Sequence, residues 1–229
     1  MTIAGAKSTK RSHSSPLPLD IRDCGLMDYR EALELQHSLR WRRAEGHIAN
    51  TVLIVEHPPV ITLGARQSAN KLLASPQQLA NMNIDVVDIR RGGGSTAHNP
   101  GQLVFYPICD LRQLGLGISR YIRQLEAIGA DLLRELGIET VARDGLPGLW
   151  IEHRKIASIG VRVSRGITHH GMAINLNNDL SIFDLIVPCG LMQVQMTSFH
   201  AETGRRAQME TARSILSRLV SDRFAGGSG

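Results

Sequence analysis

Cys189 lies in the segment IVPCGL, between Pro188 and Gly190. Proline fixes its own φ angle and glycine permits a sharp turn, so this pattern predicts a tight turn around the thiol. Such a turn can present a cysteine at the rim of a pocket, where its thiolate would act as a nucleophile. Free cysteine is also a common small buried residue, and the turn by itself leaves both roles open.

Lys155 is the last lysine in a chain that has four lysines and 22 arginines. Arginine keeps its proton under ordinary conditions, whereas a lysine ammonium can lose it. A solitary lysine in an arginine-rich chain therefore indicates a position that needs a titratable amine. A solvated lysine at a strand end is the alternative.

The segment RRGGGSTAHNPGQLVFYP, residues 90–107, has three successive glycines followed by His98. Glycines expose backbone amides and lack Cβ, so a ligand can lie directly against the main chain. A phosphate-binding loop would require GK[ST] at the start of a helix, and here the chain continues as a strand. His98 is either a binding group on this loop or an ordinary surface histidine.

The elements that position these residues follow from hydrophobic periodicity and from helix and strand breakers. Helices are predicted for LMDYREALELQHSLRWRRAEG, for SRYIRQLEAIGADLLRELG, with Ser119 as N-cap and Gly137 as C-terminal stop, and for AQMETARSILSRLVSDRF. Strands are predicted for NTVLIVEHPPVITLG, broken at its two prolines, on both sides of the glycine loop, and as an antiparallel meander in GLWIEHRKIASIGVRVSRGITHHGMAINLN. The pattern indicates one α/β (α+β) domain with a mixed, largely antiparallel sheet flanked by helices.

Composition limits the class of protein. The chain has 229 residues, 42% hydrophobic and 21% charged, as expected for one soluble globular domain. No apolar stretch approaches the ~18 residues that span a membrane. The three cysteines have no framework spacing, and neither CxxC nor HExxH occurs, so we expect a reducing compartment and no metal. The net charge of +5 suits acidic partners, but without a nucleic-acid-binding motif we expect no nucleic-acid partner.

The predicted catalytic domain covers residues 20–224, with flexible tails at 1–19 and 225–229. The first 19 residues are serine-rich and basic, as in some mitochondrial transit peptides. Prolines interrupt them and no amphipathic helical pattern is visible, so we interpret them as a tail. The expected location is the bacterial cytoplasm, with the mitochondrial matrix as the alternative.

Three ordered segments make the sequence resemble the octanoyltransferase family, also called lipoate-protein ligase B. They are RGGGSTAHNPGQLVFYPICDL, then GLPGLWIEHRKIASIGVRVSRGITHHGMAINLNNDLSIFDLIVPCGL, and MTSF. The similarity runs to Phe199 and covers about two-thirds of the chain. Family members usually read HGPGQ where this chain has Asn99, and asparagine tolerates the left-handed backbone region better than most residues.

The resemblance implies the biotin/lipoate protein ligase fold and transfer of octanoyl, or of lipoyl, from acyl carrier protein to a lysine of a lipoyl domain. The implied acceptors are the lipoyl domains of 2-oxoacid dehydrogenase E2 subunits and the glycine cleavage H protein, with no cofactor. It also implies that Cys189, in PCG, forms the acyl-thioester intermediate and that Lys155, in KIA, is its catalytic partner. The implied substrate-binding residues are Arg91, Gly92, Gly93, Gly94, Ser95, Thr96, Ala97, His98, Ser158, Ile159, Gly160, His170, Gly171, Met172 and Ala173.

The chemistry of this transfer is also consistent with the residues themselves, independently of the resemblance to a family. An acyl thioester is already activated, and its transfer to a thiol and then to an amine needs no ATP. A free thiol, with a pKa of about 8.5, is only a few per cent ionised at neutral pH. Lys155 would either stabilise the thiolate as an ammonium or, when neutral, accept a proton. The incoming amine must also lose a proton, for which Lys155, His98 and His170 are candidates.

The segments ASIG and HHGMA supply small residues on neighbouring strands, which either line an acyl pocket or allow close strand packing. Burial of an eight-carbon chain at about 0.8 kcal/mol per methylene would contribute about 5 kcal/mol. His169 and His170 alternate along a strand, so we expect one of them to face the pocket, and the resemblance favours His170.

Three other functions stay open at this stage. An ATP-dependent ligase on the same fold would activate free lipoate or octanoate and would use a lysine to hold the adenylate. An octanoyl amidotransferase would move the acyl group between lipoyl domains through a cysteine. A non-catalytic acyl- or nucleic-acid-binding module would use the basic surface alone.

Overall fold

A computed structural model describes residues 19–187 and 194–225 of the chain. Cys189 therefore lies outside the described residues, as does nearly all of both predicted tails. The strands are β1 (Leu19–Leu26), β2 (Asn50–Glu56), β3 (Val60–Leu63), β4 (Asp85–Asp88), β5 (Thr96–His98), β6 (Gln102–Ile108), β7 (Val141–Arg143), β8 (Leu146–Ile151), β9 (Arg154–Ser164), β10 (Ile167–Asn175) and β11 (Gln195–Met196). The helices are α1 (Tyr29–Ala44), α2 (Pro76–Asn81), α3 (Ile118–Leu136), α4 (Phe199–Thr203) and α5 (Met209–Phe224), with short 3₁₀ turns at Gln67–Ala69 and Leu180–Leu185.

The described strands form two sheets. The larger has the order β1-β2-β6-β10-β9-β8-β7, with β11 also paired to β9, and the smaller has the order β4-β3-β5. The β1–β2, β3–β4 and β9–β11 pairs are parallel, and the other pairs are antiparallel. The predicted mixed, largely antiparallel sheet is therefore confirmed.

Tight turns hold the meander together. Arg165 and Gly166 join β9 to β10 with φ angles of +54° and +84°, and left-handed pairs of this kind match the twist of a two-residue hairpin. Glu152 makes the turn between β8 and β9 with a φ of +49°. Short turns keep these strands adjacent, so small residues that are distant in sequence become neighbours on one sheet face.

Helices cover both faces of the larger sheet. The apolar side of α3, with Leu125, Ile128 and Leu132, packs with α5 on one face, and α1 packs on the other through Ala32 and Leu39. The helix periodicity of the sequence predicted this flanking arrangement. Among the described helices, none combines the length and apolar character that a bilayer crossing requires.

Several boundaries differ from the prediction. Ser119 is not an N-cap, because α3 begins at Ile118 after Gly117. Gly137 does end that helix, with a left-handed φ of +99°. The residue Leu26, predicted as helical, ends β1, and α1 begins after Asp28, whose carboxylate accepts from the first helical amides.

Candidate active site

A narrow slot crosses the larger sheet on the face that packs against α1. Its floor consists of small residues on neighbouring strands, Ser158 and Gly160 on β9 and Gly171 and Ala173 on β10. Ser158 pairs with Ala173, and Gly160 with Gly171; directly opposite residues share one face of a sheet. Val104 of β6 pairs with Ala173 and continues the row. Small side chains over three strands leave space for a thin ligand.

The mouth of the slot lies at β9 and its inner end at β6 and α1. Four residues line both the slot and a wider outer groove, and they mark the mouth: Gly92, Gly93, Ile159 and Gly160. Tyr29, His98 and Tyr106 line the slot on the α1 side. The two strand spacings from β9 to β6 amount to about 10 Å, so the slot suits a short linear chain.

The glycine loop forms one wall by docking on β9 at Val161, beyond the residues of β9 that pair with β8. The Gly92 amide donates to the Val161 carbonyl at 3.1 Å. A Cβ at Gly160 would lie 2.9 Å from Cδ of Arg91 and 3.1 Å from the Gly92 carbonyl oxygen. Gly93 has a φ of +89°, a region that favours glycine. Glycines therefore allow the loop to approach the strand closely.

The Arg91 side chain fixes this loop to the smaller sheet. It is only 7% exposed. Its Nη2 donates to Oγ1 and the carbonyl oxygen of Thr62 at 2.7 and 3.0 Å, and its Nη1 donates to the Gly92 carbonyl at 3.1 Å. A buried guanidinium held in this way gives the wall a fixed positive charge.

His98 lines the slot, and His57 lies next to it, with the two ring centroids 5.6 Å apart. His98 Nδ1 lies 2.7 Å from Oε1 of Gln102, and His57 lies 2.8 Å from both the Met27 carbonyl oxygen and the Tyr106 hydroxyl. Burial is the main cause that lowers the pKa of His98 to about 3 and that of His57 to about 4. Both rings are thus uncharged at neutral pH.

His170 lines the slot and His169 does not. The predicted reason, simple alternation along the strand, is wrong. His170 has a left-handed φ of +56°, and its ring centroid lies 4.7 Å from that of His169. The His170 amide donates to Oε1 of Gln36 at 2.8 Å. Burial, followed by the charges of His169 and Arg91, lowers the pKa of His170 to about 2.

Lys155 lies on β9 and lines the outer groove into which the slot opens. The residue is 3% exposed, and its Nζ lies 5.0 Å from the ring centroid of Trp150. Gly148 on β8 has a φ of +126°, and a Cβ there would lie 2.8 Å from Cε of Lys155 and overlap the Ala157 carbonyl. The glycine in GLPGLW therefore makes room for the lysine stem.

Residues 188–193, including Cys189, lie outside the described part of the chain, but both described neighbours of this segment contact the site. Before it, the Ser95 hydroxyl donates to the Val187 carbonyl oxygen at 2.8 Å. After it, β11 pairs with β9, with Met196 opposite Lys155. The glycine loop thus holds one neighbour, and the strand of Lys155 holds the other.

The two cysteines that the structure describes are poor nucleophiles. Cys109 is fully buried, and burial raises the pKa of its thiol to about 12. Burial, followed by the charge of Asp23, raises the pKa of Cys24. The thiolate is the nucleophilic form of cysteine, so neither group suits acyl transfer at neutral pH.

Asn99 supports the turn after the glycine loop through its side chain. Its backbone is not in the left-handed region, so the tolerance expected from the sequence is not what the turn uses. Instead, Nδ2 donates to the Asp179 carbonyl at 2.8 Å, and Oδ1 accepts from Asn178 at 3.2 Å. Gly101, with a φ of +89°, provides the left-handed position.

The structure brings most of the predicted pocket residues to the slot. Those that line it are Arg91, Gly92, Gly93, Thr96, His98, Ser158, Ile159, Gly160, His170, Gly171, Met172 and Ala173. The others lie beside it: Gly94 is packed tightly against Ala69, Ser95 bonds to Val187, and Ala97 is in the core.

Sequence reasoning missed Tyr29, Val104 and Tyr106, which also line the slot. Val104 and Tyr106 alternate along β6, so their shared face could have been predicted from the strand pattern. Tyr29 opens a helix far away in sequence and gave no local signal. Within residues 19–187 and 194–225, no group of three or more His, Cys, Asp or Glu side chains is placed to hold a metal ion.

Comparison with known protein families gives a match to the Lipoyl protein ligase A/B catalytic domain over residues 28–220. The octanoyltransferase of Roseiflexus sp. is 43% identical over 205 residues, which cover 88% of this chain and 84% of that protein. The octanoyltransferase of Solibacter usitatus is 44% identical over 190 residues, which cover 83% of this chain and 86% of that protein.

Solved structures with low sequence identity share the fold. A lipoate-protein ligase A bound with ATP is 14% identical, with a TM-score of 0.67 over 91% of this chain and 85% of that one. A bipartite lipoate protein ligase from Thermoplasma acidophilum is also 14% identical, with a TM-score of 0.66 over 91% and 84% of the two chains. The predicted lipoate-ligase-like fold is confirmed.

Proposed function

This chain belongs to the lipoyl protein ligase A/B catalytic domain family, and on that premise we propose that it is an octanoyltransferase. It transfers an octanoyl group from a thioester donor to the lysine amine of a lipoyl domain, through a thioester on Cys189. The donor is octanoyl-acyl carrier protein. The observation that carries the proposal is the slot of small residues, which opens into the groove that Lys155 lines.

The slot fits an acyl chain better than a polar ligand. Its floor carries no charged side chain, and the histidines that line it are neutral at physiological pH. The buried Arg91 is engaged by Thr62 and the loop backbone, which leaves the aliphatic chain in contact with glycine, alanine and valine. Burial of such a chain contributes about 0.8 kcal/mol per methylene.

In the first half-reaction, the Cys189 thiolate attacks the carbonyl carbon of the donor thioester. A new carbon–sulfur bond forms, the donor carbon–sulfur bond breaks, and the donor leaves as a thiol. Lys155 holds the proton of the Cys189 thiol as an ammonium, whose charge stabilises the thiolate, and this proton then passes to the departing sulfur. The raised thiol pKa values of Cys24 and Cys109 support Cys189 as the nucleophile.

In the second half-reaction, the neutral lysine amine of the lipoyl domain attacks the acyl-enzyme. A carbon–nitrogen bond forms, the carbon–sulfur bond to Cys189 breaks, and Lys155 passes the amine proton to the released thiolate. His98 and His170 are weak candidates for this transfer, because burial makes both rings poor bases, with pKa values of about 3 and 2.

The proposed acceptors are the lipoyl domains of 2-oxoacid dehydrogenase E2 subunits and the glycine cleavage H protein, and the proposed location is the bacterial cytoplasm. The bacterial source of the octanoyltransferase relatives supports this location.

Transfer assays with an isolated lipoyl domain test the function and separate it from the alternatives. We expect octanoylation of the domain from octanoyl-acyl carrier protein without ATP, and none from free octanoate with ATP. The reverse pattern would identify a ligase, and transfer that starts only from an octanoylated lipoyl domain would identify an amidotransferase. Binding without any transfer would refute the enzyme.

A further inference from the structure

An outer groove of about 810 Å³ begins at the mouth of the slot. Its charged lining consists of Arg66, Arg90, Arg162 and Lys155, and no carboxylate lines it among the described residues. Apolar residues lie between these cations: Leu111, Ile118, Ile122, Leu146 and Val163. The groove is therefore concave, cationic and partly apolar.

The three groove arginines differ from most other arginines of the chain. Arg154, Arg218 and Arg223 have carboxylate partners within 2.8 Å. Within the described residues, no ion pair or side-chain hydrogen bond engages Arg66, Arg90 or Arg162, and all three are exposed. Like charges gathered in one groove repel each other, and an anion would relieve that repulsion.

The position of the groove indicates which anion it receives. The slot and the groove share Gly92, Gly93, Ile159 and Gly160. A ligand whose acyl end occupies the slot therefore extends from the shared mouth into the groove, whose lining includes Lys155. On an acyl carrier protein, the acyl thioester ends a pantetheine arm that is joined to the protein through a phosphate. That arm has an apolar gem-dimethyl group, two amides and one anionic end, which matches the apolar and cationic lining.

We propose that Arg66, Arg90 and Arg162 form a binding site for the phosphate of the donor's pantetheine arm. This inference rests on the proposed function, because it assumes a thioester donor. The groove binds the arm along its apolar lining, and the guanidinium groups, which suit phosphate oxygens, hold its anionic end. Transfer thereby favours donors that carry the phosphate.

Two small donors isolate the phosphate from every contact with the carrier protein: S-octanoyl-4′-phosphopantetheine and S-octanoyl-pantetheine. The measurement is kcat/KM for acyl-enzyme formation, compared as a ratio between the two donors. We expect a ratio of about ten for the wild type, which decreases as salt screens the exposed charges. In Arg66→Gln/Arg90→Gln/Arg162→Gln we expect a ratio near one. Arg42→Gln is the matched control, since Arg42 is exposed but does not line the groove, and it should keep the wild-type ratio.

Calorimetric titration with 4′-phosphopantetheine provides a readout without turnover. Binding that the triple variant weakens about tenfold supports the site. A wild-type kcat/KM ratio of one between the two small donors, or a ratio that the triple variant leaves unchanged, overturns the phosphate site. A loss of activity confined to the carrier-protein donor overturns it as well, because it would indicate docking of an acidic protein surface. Tighter binding of ATP than of 4′-phosphopantetheine would assign the groove to a nucleotide. If neither donor acylates the enzyme, the proposed function fails instead, and the titration still tests the phosphate site.

Discussion

A larger side chain at position 173, on the slot floor, should shorten the acyl chain that the enzyme accepts. Ala173 lies in the middle of the row, between Ser158 and Val104. Ala173→Val adds two carbons to the slot floor, and valine is well accommodated in a strand. If these carbons displace two methylenes of the substrate, the loss is about 1.6 kcal/mol at about 0.8 kcal/mol each. That corresponds to a decrease of about 15-fold in kcat/KM for octanoyl.

The assay compares acyl-enzyme formation from hexanoyl, octanoyl and decanoyl thioesters. Hexanoyl, which is two methylenes shorter, should be affected much less than octanoyl. The reciprocal change, Val104→Ala, should improve decanoyl relative to octanoyl. Ala142→Val, on the exposed strand β7, is a matched control and should leave the chain-length profile unchanged. Equal losses for all three chains, or an unchanged profile in Ala173→Val, would refute the assignment of the slot to the acyl chain.

Three further predictions follow from the same site. Lys155→Arg keeps a positive charge but loses the titratable amine. The variant should therefore form acyl-enzyme yet pass octanoyl to the lipoyl domain about 10²- to 10⁴-fold more slowly. Normal rates in both half-reactions, measured by rapid quench, would exclude a proton-transfer role for Lys155. Gly160→Ala places a Cβ 2.9 Å from Arg91, so it should push the loop away from β9 and raise KM for octanoyl donors by about tenfold or more, with an unchanged KM arguing against the loop as a slot wall. Burial lowers the pKa of His57 to about 4, below the ordinary histidine value of about 6.5. As pH falls from about 6.5 towards 4, the unfolded state therefore binds protons before the folded state does, and Tm should decrease. His57→Gln should flatten this dependence of Tm on pH and the exposed His153→Gln should not, whereas equal slopes in all three proteins would contradict the buried neutral histidine.

The sequence predicted the elements whose signals are local. The meander was predictable because β9 and β10 are separated by a turn and carry continuous strand patterns. The amphipathic pattern of α3 and the glycine that ends it were equally clear. By contrast, the sequence did not predict β1. This strand alternates apolar with charged residues over only Leu19–Leu26, and its partner β2 begins beyond the whole of α1.

The misjudged features depend on contacts between residues that are distant in sequence. Asn99 bonds to Asp179, so its role could not be derived from backbone preference. His170 adopts a left-handed backbone that breaks the expected alternation, and its amide bonds to Gln36. Gly171 lines the slot, and nothing in the sequence indicated that a Cβ there would also overlap the Phe105 carbonyl. A bulky residue at that position would disturb the sheet as well as the slot, which makes Ala173 the better probe.

The cysteine-thioester mechanism is tested most directly by intact-mass analysis of the enzyme after incubation with octanoyl-acyl carrier protein, with no lipoyl domain and no ATP. We expect one octanoyl group per chain, labile to hydroxylamine and located by peptide mapping on Cys189, with no adduct in Cys189→Ser. An adduct on Cys24 or Cys109, or continued transfer to a lipoyl domain by Cys189→Ser, would contradict the cysteine-thioester mechanism.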